Sequence, residues 1–233
     1  DSVASRGLGD VYKRQENDIV KVDGEKIKSK QKKYVYLAFN KPKGIVCTTD
    51  TEKEENNIID FINFQKRIFP IGRLDKLSEG LILLTNDGEI VNKVLRSRYG
   101  HEKEYLVTLN NKITKNFLRK LESGVPIMNT VTKKCKTNYI NEFQFKIILT
   151  QGMNRQIRRM CEVMGYRVTK LKRTRIMNIH LDINVGEYRD LGEDEVKLVR
   201  KKLNWSYNPF EIPKKLLNEW KSIGERASKI AKK

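Results

Sequence analysis

Histidine and cysteine are scarce in this 233-residue chain, which holds only His101, His180, Cys47, Cys135 and Cys161. The cysteines are odd in number and none stand in C-x-x-C spacing, so neither a disulfide framework nor a zinc site is indicated. A reducing compartment, the cytoplasm, is therefore expected. Two histidines leave little to build a histidine-centred triad from. A phosphate loop, a dinucleotide fingerprint and a metal-ligand cluster are also lacking, so no cofactor or metal is expected. No apolar run approaches the ~20 residues of a membrane span, and no charged-then-apolar leader layout is present, so no membrane association is expected. Acid is in deficit as well: 29 Asp+Glu stand against 48 Lys+Arg, a formal charge of +19. Self-repulsion of that size is most readily tolerated when the partner is a polyanion, and nucleic acid leads.

What is present is an apolar fraction of 38%, enough for a folded core of one or two domains. Residues 1–15, "DSVASRGLGDVYKRQ", lack periodicity and are set aside as a non-native segment. The phrase "ENDIVKVDGEKI" predicts a short hairpin about Asp23-Gly24, and Lys28 to Lys33 a basic linker. An almost continuously apolar strand follows from Tyr34 to Phe39, ended by Asn40-Lys41-Pro42. Further strands are predicted at Ile82–Thr85, Glu104–Leu109, Phe143–Leu149, Val168–Lys172 and Met177–Leu181. Helical patterns begin near Asp87, after an N-cap at Thr114, and after an N-cap at Asn154, the last repeating Ile157, Met160, Cys161 and Met164 and ending at Gly165. Strands with scattered helices predict an α+β protein. From Asn204 two prolines precede a basic amphipathic tail, expected to be helical.

Asp75 lies between Arg73 and Lys76 in "IGRLDKLSEGLILLTNDG", a charged loop with Gly72, Ser78 and Gly80 that runs into a buried strand. Taken alone, the acid reads as a turn or ion-pair residue. Tyr105 in "HEKEYLV" reads equally as a strand tyrosine between core positions. With Ile157, Met160, Cys161 and Met164 turned inward, Arg155, Arg158 and Arg159 fall on or beside the other helix faces, where a solvated charge run is the plain alternative.

The combination resembles one family. The phrases "FNKPKGIVCTTD", "RIFPIGRLDKLSEGLILLTNDGEIVNKVL", "HEKEYLVT", "ILTQGMNRQIRRMCEVMGYRVTKLKRTRIMNI" and "GEYRDL" run in order across roughly Tyr34 to Leu198. They resemble the RsuA/RluB/RluE/RluF family of RNA pseudouridine synthases, most closely its RluF branch. The resemblance implies Asp75 as the essential nucleophile, Tyr105 as the ring that stacks on an extruded uracil, and Arg158 as the cation set against Asp75, where it orients the carboxylate and favours its charged form. It also implies RNA contacts from Arg73, Lys76, Asn154, Arg155, Gln156, Ile157, Arg159, Lys172 and Arg173, Ile157 packing under the base. No cofactor is implied. Arg167, Lys170 and Arg175 extend the basic run as expected phosphate contacts.

The implied fold is a mixed, mostly antiparallel central sheet in two lobes, with helices outside and Asp75 in the cleft between. The expected division is a non-native segment at 1–15, a remnant of an S4-type RNA-binding domain with its linker at 16–33, a catalytic domain at 34–203 and the basic tail at 204–233. The implied reaction is uridine isomerisation in large-subunit ribosomal RNA by a monomer, with transfer RNA or small-subunit ribosomal RNA as alternative substrates. A non-catalytic RNA-binding or ribosome-assembly protein is the rival. Binding alone gives no reason to hold an acid beside an anionic backbone.

Overall fold

The computed structural model describes residues 34–95 and 100–203, with two short strands at Lys21–Val22 and Glu25–Lys26. The segment 1–15, the linker at Lys28 to Lys33 and the tail from Asn204 lie outside the described residues. In chain order the elements are β1 (Lys21–Val22), β2 (Glu25–Lys26), β3 (Tyr36–Lys41), α1 (Ile58–Ile62), β4 (Phe69–Ile71), β5 (Glu79–Thr85), α2 (Gly88–Leu95), β6 (Lys103–Leu109) and α3 (Lys115–Ser123). Then come β7 (Pro126–Ile127), β8 (Thr130–Val131), β9 (Lys136–Asn141), β10 (Gln144–Leu149), α4 (Gln156–Val163), β11 (Val168–Ile176), β12 (Ile179–His180), β13 (Tyr188–Asp190) and α5 (Glu193–Lys202). Contacts divide the chain into two units, Asp1–Lys33 and Tyr34–Lys233. In the first, β1 and β2 pair antiparallel, Val22 opposite Glu25, on either side of Asp23-Gly24.

The second unit is built on a nine-stranded sheet whose main path runs β13-β3-β5-β11-β6-β10-β9, with β4 added to β5 and β12 to β11. Every pairing in this sheet is antiparallel except that of β5 with β11. The architecture is the mixed, mostly antiparallel α+β sheet expected from the sequence.

Its two halves bury their strands differently, and the sequence pattern follows. In β3 and β5, Leu37, Phe39, Ile82 and Leu84 pack against α1 and the loop before it, while Ala38, Leu81 and Leu83 pack on the opposite face against α2 and α5 residues Ile90, Val94 and Val199. Covered on both faces, these strands read as unbroken apolar runs. In β10 the buried residues Phe145, Ile147 and Leu149 alternate with half-exposed ones. They pack with Val107 and Leu109 of β6 against Phe117 and Leu121 of α3 and Ile157, Met160 and Cys161 of α4. That half has one covered face, and its strands alternate.

Thr114 caps α3 as expected, its hydroxyl accepting from the Phe117 N–H at 3.1 Å. Asn154 does not cap α4: Arg155 takes the N-cap position at φ 50°, without a side-chain cap bond. The strand predicted at Val168–Lys172 runs on to Ile176, and the one predicted from Met177 is only the two-residue β12, because Met177 turns the chain at φ 52°. Strands β4, β7, β8, β9 and β13 and helices α1 and α5 were not anticipated. They are short or, like β9 and α5, lie on polar sequence without a clear apolar period.

Candidate active site

The loop from β4 to β5 leaves the sheet where β5 changes partners. Leu83 to Thr85 pair with β4, whereas Glu79 and Gly80 pair with β11. The two backbones approach so closely that a Cβ on Gly80, at φ +108°, would lie 2.3 Å from the Arg173 carbonyl oxygen. Only glycine admits that approach. Between β4 and this junction the chain turns at Gly72, φ 83°, buries Leu74 and presents Asp75. Backbone N–H groups help fix the loop: Leu74 N–H donates to Cys47 Sγ at 3.3 Å, Ser78 N–H to the Asp75 carbonyl at 2.9 Å, and Gly44 N–H to the Lys76 carbonyl at 2.8 Å.

The loop borders a cleft of about 860 Å³ walled from both halves of the sheet. Ile71 to Lys76, Val46 and Cys47 form one side. Tyr105 of β6, the segment from Leu149 to Ile157, and Leu171 and Arg173 of β11 form the other. Arg158 of α4 crosses between the sides. Its Nη1 donates to the Val168 carbonyl at 3.0 Å, its Nη2 to the Leu77 carbonyl and Ser78 Oγ at 3.3 Å each, and its Nε lies 3.9 Å from Asp75 Oδ2. The Asp75 side chain keeps 31% of its surface open to the cleft, whereas that of Arg158 keeps 8%. Arg158 thus braces the acid from behind and leaves its front free. Burial pulls the Arg158 guanidinium below its ordinary value, and the Asp75 carboxylate opposes that shift. The helix pattern left a solvated face as the plain alternative for Arg158, while the resemblance set it against Asp75. The structure buries Arg158, because α4 packs against β7 and β11.

Tyr105 is half-buried at the seam of two core clusters, and the Arg173 guanidinium carbon lies 6.0 Å from its ring centroid. Arg73, Lys76, Asn154, Arg155, Gln156, Ile157 and Arg173 also border the cleft. Their parts differ. Gln156 is buried and its Oε1 accepts from the Met153 N–H at 3.0 Å, so it braces the loop before α4. Arg173 is 3% exposed and donates from Nε to the Leu81 carbonyl at 2.7 Å, which seats it in the buried wall of the cleft and not among the exposed cations at its mouth. Arg155 is exposed in a left-handed conformation that is uncommon outside glycine and worth noting at a cleft mouth.

Three candidates do not line the cleft: Arg159, Lys172 and Arg158, which stands behind Asp75. Arg159 folds back on Asn154, donating to its carbonyl at 3.1 Å and to its Oδ1 at 3.3 Å. Lys172 alternates with Leu171 and Arg173 along β11 and falls on the other sheet face. Two members of the extended basic run are also engaged: Arg175 pairs with Glu102 at 3.0 Å and Lys170 with Glu79 at 3.2 Å.

The sequence reading missed Lys41 and Lys103. Lys41 is fully buried beneath the site, its Nζ donating to the Ile45 and Pro42 carbonyls at 2.7 and 2.8 Å. Burial pulls its ammonium down, while Cys47 and Asp75 oppose the shift. Lys103 borders the cleft. Alternation places it two positions from Tyr105 on the same strand face, a signal present in "KEY" itself. Among the described residues no group of three His, Cys, Asp or Glu side chains is placed to hold a metal, and no helix is long and apolar enough to cross a membrane.

The chain's likeness to known proteins agrees with this geometry. The profile of a family described as RNA pseudouridylate synthase matches residues 35–163. A dual-specificity RNA pseudouridine synthase RluF from Salmonella typhi is 58% identical over 181 residues, covering 77% of this chain and 62% of that protein. The ribosomal large subunit pseudouridine synthase B of Bacillus subtilis is 35% identical over 202 residues, covering 83% of this chain and 82% of its own. A crystal structure of a pseudouridylate synthase superposes with a TM-score of 0.66 at 29% identity, over 71% of this chain and 74% of that one. The chain thus spans about three fifths of the length of its Salmonella relative, 62%. With fold, cleft and sequence in agreement, this chain belongs to the RNA pseudouridylate synthase family.

Proposed function

We propose that this chain isomerises uridine to pseudouridine in large-subunit ribosomal RNA, with Asp75 as the nucleophile and residues 34–203 as the catalytic unit. The observation that carries this reading is the Arg158 brace, which holds a half-open carboxylate at the edge of a cleft large enough for a nucleotide. A uracil must leave the helical stack to reach such a site, at a cost of about a few kcal/mol, so the site needs a flat surface for the base and cations for the backbone. Tyr105 provides the first; Arg73, Lys76 and Arg155 provide the second.

Asp75 attacks the bound uridine at the base or at the ribose. The bond from N1 to the sugar breaks, the uracil turns within the cleft, its C5 forms the new bond to the sugar, and the bond to Asp75 breaks to give back the free carboxylate. C5 gives up a proton and N1 gains one, so the product is an isomer and nothing is consumed. The acid acts as a nucleophile in this scheme, and orientation is what Arg158 contributes. The protein is proposed to act as a monomer in the cytoplasm. The "dual-specificity" in the Salmonella relative's name favours a second RNA substrate, for which transfer RNA is the candidate.

The test is pseudouridine mapping by chemical labelling and primer extension on protein-free large-subunit rRNA lacking the modification, with bulk unmodified tRNA alongside. A new stop produced by the wild-type chain and lost with Asp75→Asn is expected. RNA binding by both proteins with no stop from either would favour the non-catalytic reading.

A further inference from the structure

The cleft holds two cations that its other contacts leave uncompensated. Lys103 and Tyr105 share a face of β6, and across the β6–β11 ladder Tyr105 pairs with Arg173 and Lys103 with Ile176. Lys103, Tyr105 and Arg173 all border the cleft. Arg173 is 3% exposed; its Nε and Nη1 reach the Leu81 and Arg73 carbonyls at 2.7 and 3.5 Å, and its Nη2 has no hydrogen-bond partner. Lys103 Nζ donates to the His101 carbonyl at 3.2 Å.

Nearby acids are engaged elsewhere. Glu102 pairs with Arg175, Glu104 with Lys146, Glu79 with Lys170 and Asp75 with Arg158. Among the described residues neither Lys103 nor Arg173 forms an ion pair within 4.0 Å. Burial pulls the Lys103 ammonium below its ordinary value, and the Arg173 charge pulls the same way. Like charges held together out of water are unfavourable until an anion joins them.

Resting on the reading of the cleft as a uridine site, we propose that Lys103 and Arg173 form an anion subsite that holds a phosphate of the target nucleotide beside the Tyr105 ring. The chemistry gives such a subsite a purpose. Once the uracil has left its sugar, contacts to the base no longer restrain the ribose, and a phosphate clamp keeps the sugar in place while the base turns. Arg173 suits the task because Nη2 is already desolvated and its fork is held by two carbonyls.

Calorimetric titration of the full chain with uridine 3′,5′-bisphosphate and with uridine tests the proposal. At low salt the bisphosphate is expected to bind about tenfold or more tightly than uridine. That advantage should fall to about threefold or less in Lys103→Met and return in Lys103→Arg. Arg173→Met should lose it too; should that variant fail to fold, the Lys103 pair carries the test. Lys112→Met is the control for net charge, since Lys112 is exposed and paired with Glu142 at 2.9 Å, and it should keep the full advantage. The subsite is overturned if the bisphosphate does not bind, if uridine binds as tightly, or if Lys103→Met keeps the advantage. Pseudouridine formation run in parallel separates the two ideas. Product without a phosphate advantage removes the subsite alone, and a phosphate advantage without product removes the proposed reaction alone.

Discussion

Replacing Arg158 by Met tests whether this residue acts on Asp75 or merely supports α4. Met fills much of the aliphatic volume but deletes three hydrogen bonds, to the Val168 and Leu77 carbonyls and to Ser78 Oγ, and the cation 3.9 Å from Asp75. Val168 and Ser78 are themselves buried. Each acceptor left unpaired costs about 1 kcal/mol. Relief from desolvating a guanidinium offsets part of the sum, so the net loss of stability should be about 2 kcal/mol. With a urea m-value of about 2 kcal/mol/M, the unfolding midpoint should fall by about 1 M. The effect on the reaction should be larger. Asp75 loses the group that orients it, and kcat should fall by about 100-fold or more, the scale seen when one preorganised partner is removed. KM should barely change, because Arg158 lies behind the acid and out of reach of RNA. Arg158→Lys keeps the charge without the fork and should recover only part of the rate. The assays are urea unfolding by circular dichroism and single-turnover pseudouridine formation on rRNA. A folded Arg158→Met variant with kcat within about twofold of wild type would refute the brace. A raised KM at unchanged kcat would instead make Arg158 an RNA contact.

Two further perturbations probe the frame around the site. Gly80→Ala places a Cβ 2.3 Å from the Arg173 carbonyl oxygen at a backbone angle of φ +108°, so β5 and β11 must separate; a loss of about 3 kcal/mol or more is expected in thermal melts, and a wild-type melt would show that the approach is not tight. Arg189 donates to Asp182 at 2.8 and 2.9 Å and to Glu195 at 2.7 and 2.9 Å, and these bonds hold both carboxyls below their usual range. Because the folded values are depressed, the unfolded chain binds more protons as pH falls. This contribution is therefore present above the ordinary carboxylate range near 4 and lost as pH drops through the folded values. Arg189→Met should accordingly differ from wild type in urea midpoint at pH 6 and converge with it toward pH 2; a difference that persists unchanged at low pH would contradict the linkage.

The sequence by itself determined a good deal, in the places where local chemistry is decisive. Thr114 followed by Phe117 and Leu121 is a capped amphipathic helix wherever it is put, and α3 forms there. The unbroken run through Leu81 to Leu84 marked a strand covered on both faces, and the two core clusters on either side of β5 bear that out. Five ordered phrases were enough to suggest the family before any coordinates, because the acid, the tyrosine and the arginine stand in segments with strong patterns of their own.

Tertiary structure decided what each of those residues touches. Arg158 and Arg159 are adjacent and chemically identical, yet one is buried against Asp75 and the other folded onto Asn154, a difference set by which face of α4 meets β11. Lys172 and Arg173, neighbouring cations, are sent to opposite sheet faces by strand parity, which the register with β6 fixes. Asp75 and Arg158 are 83 positions apart in the chain; they meet because β5 and β11, distant in sequence, pair in parallel at a glycine. Long-range pairing of this kind leaves almost no local trace, since the free energy that selects it comes from burying two apolar faces at once and not from any one segment's preference.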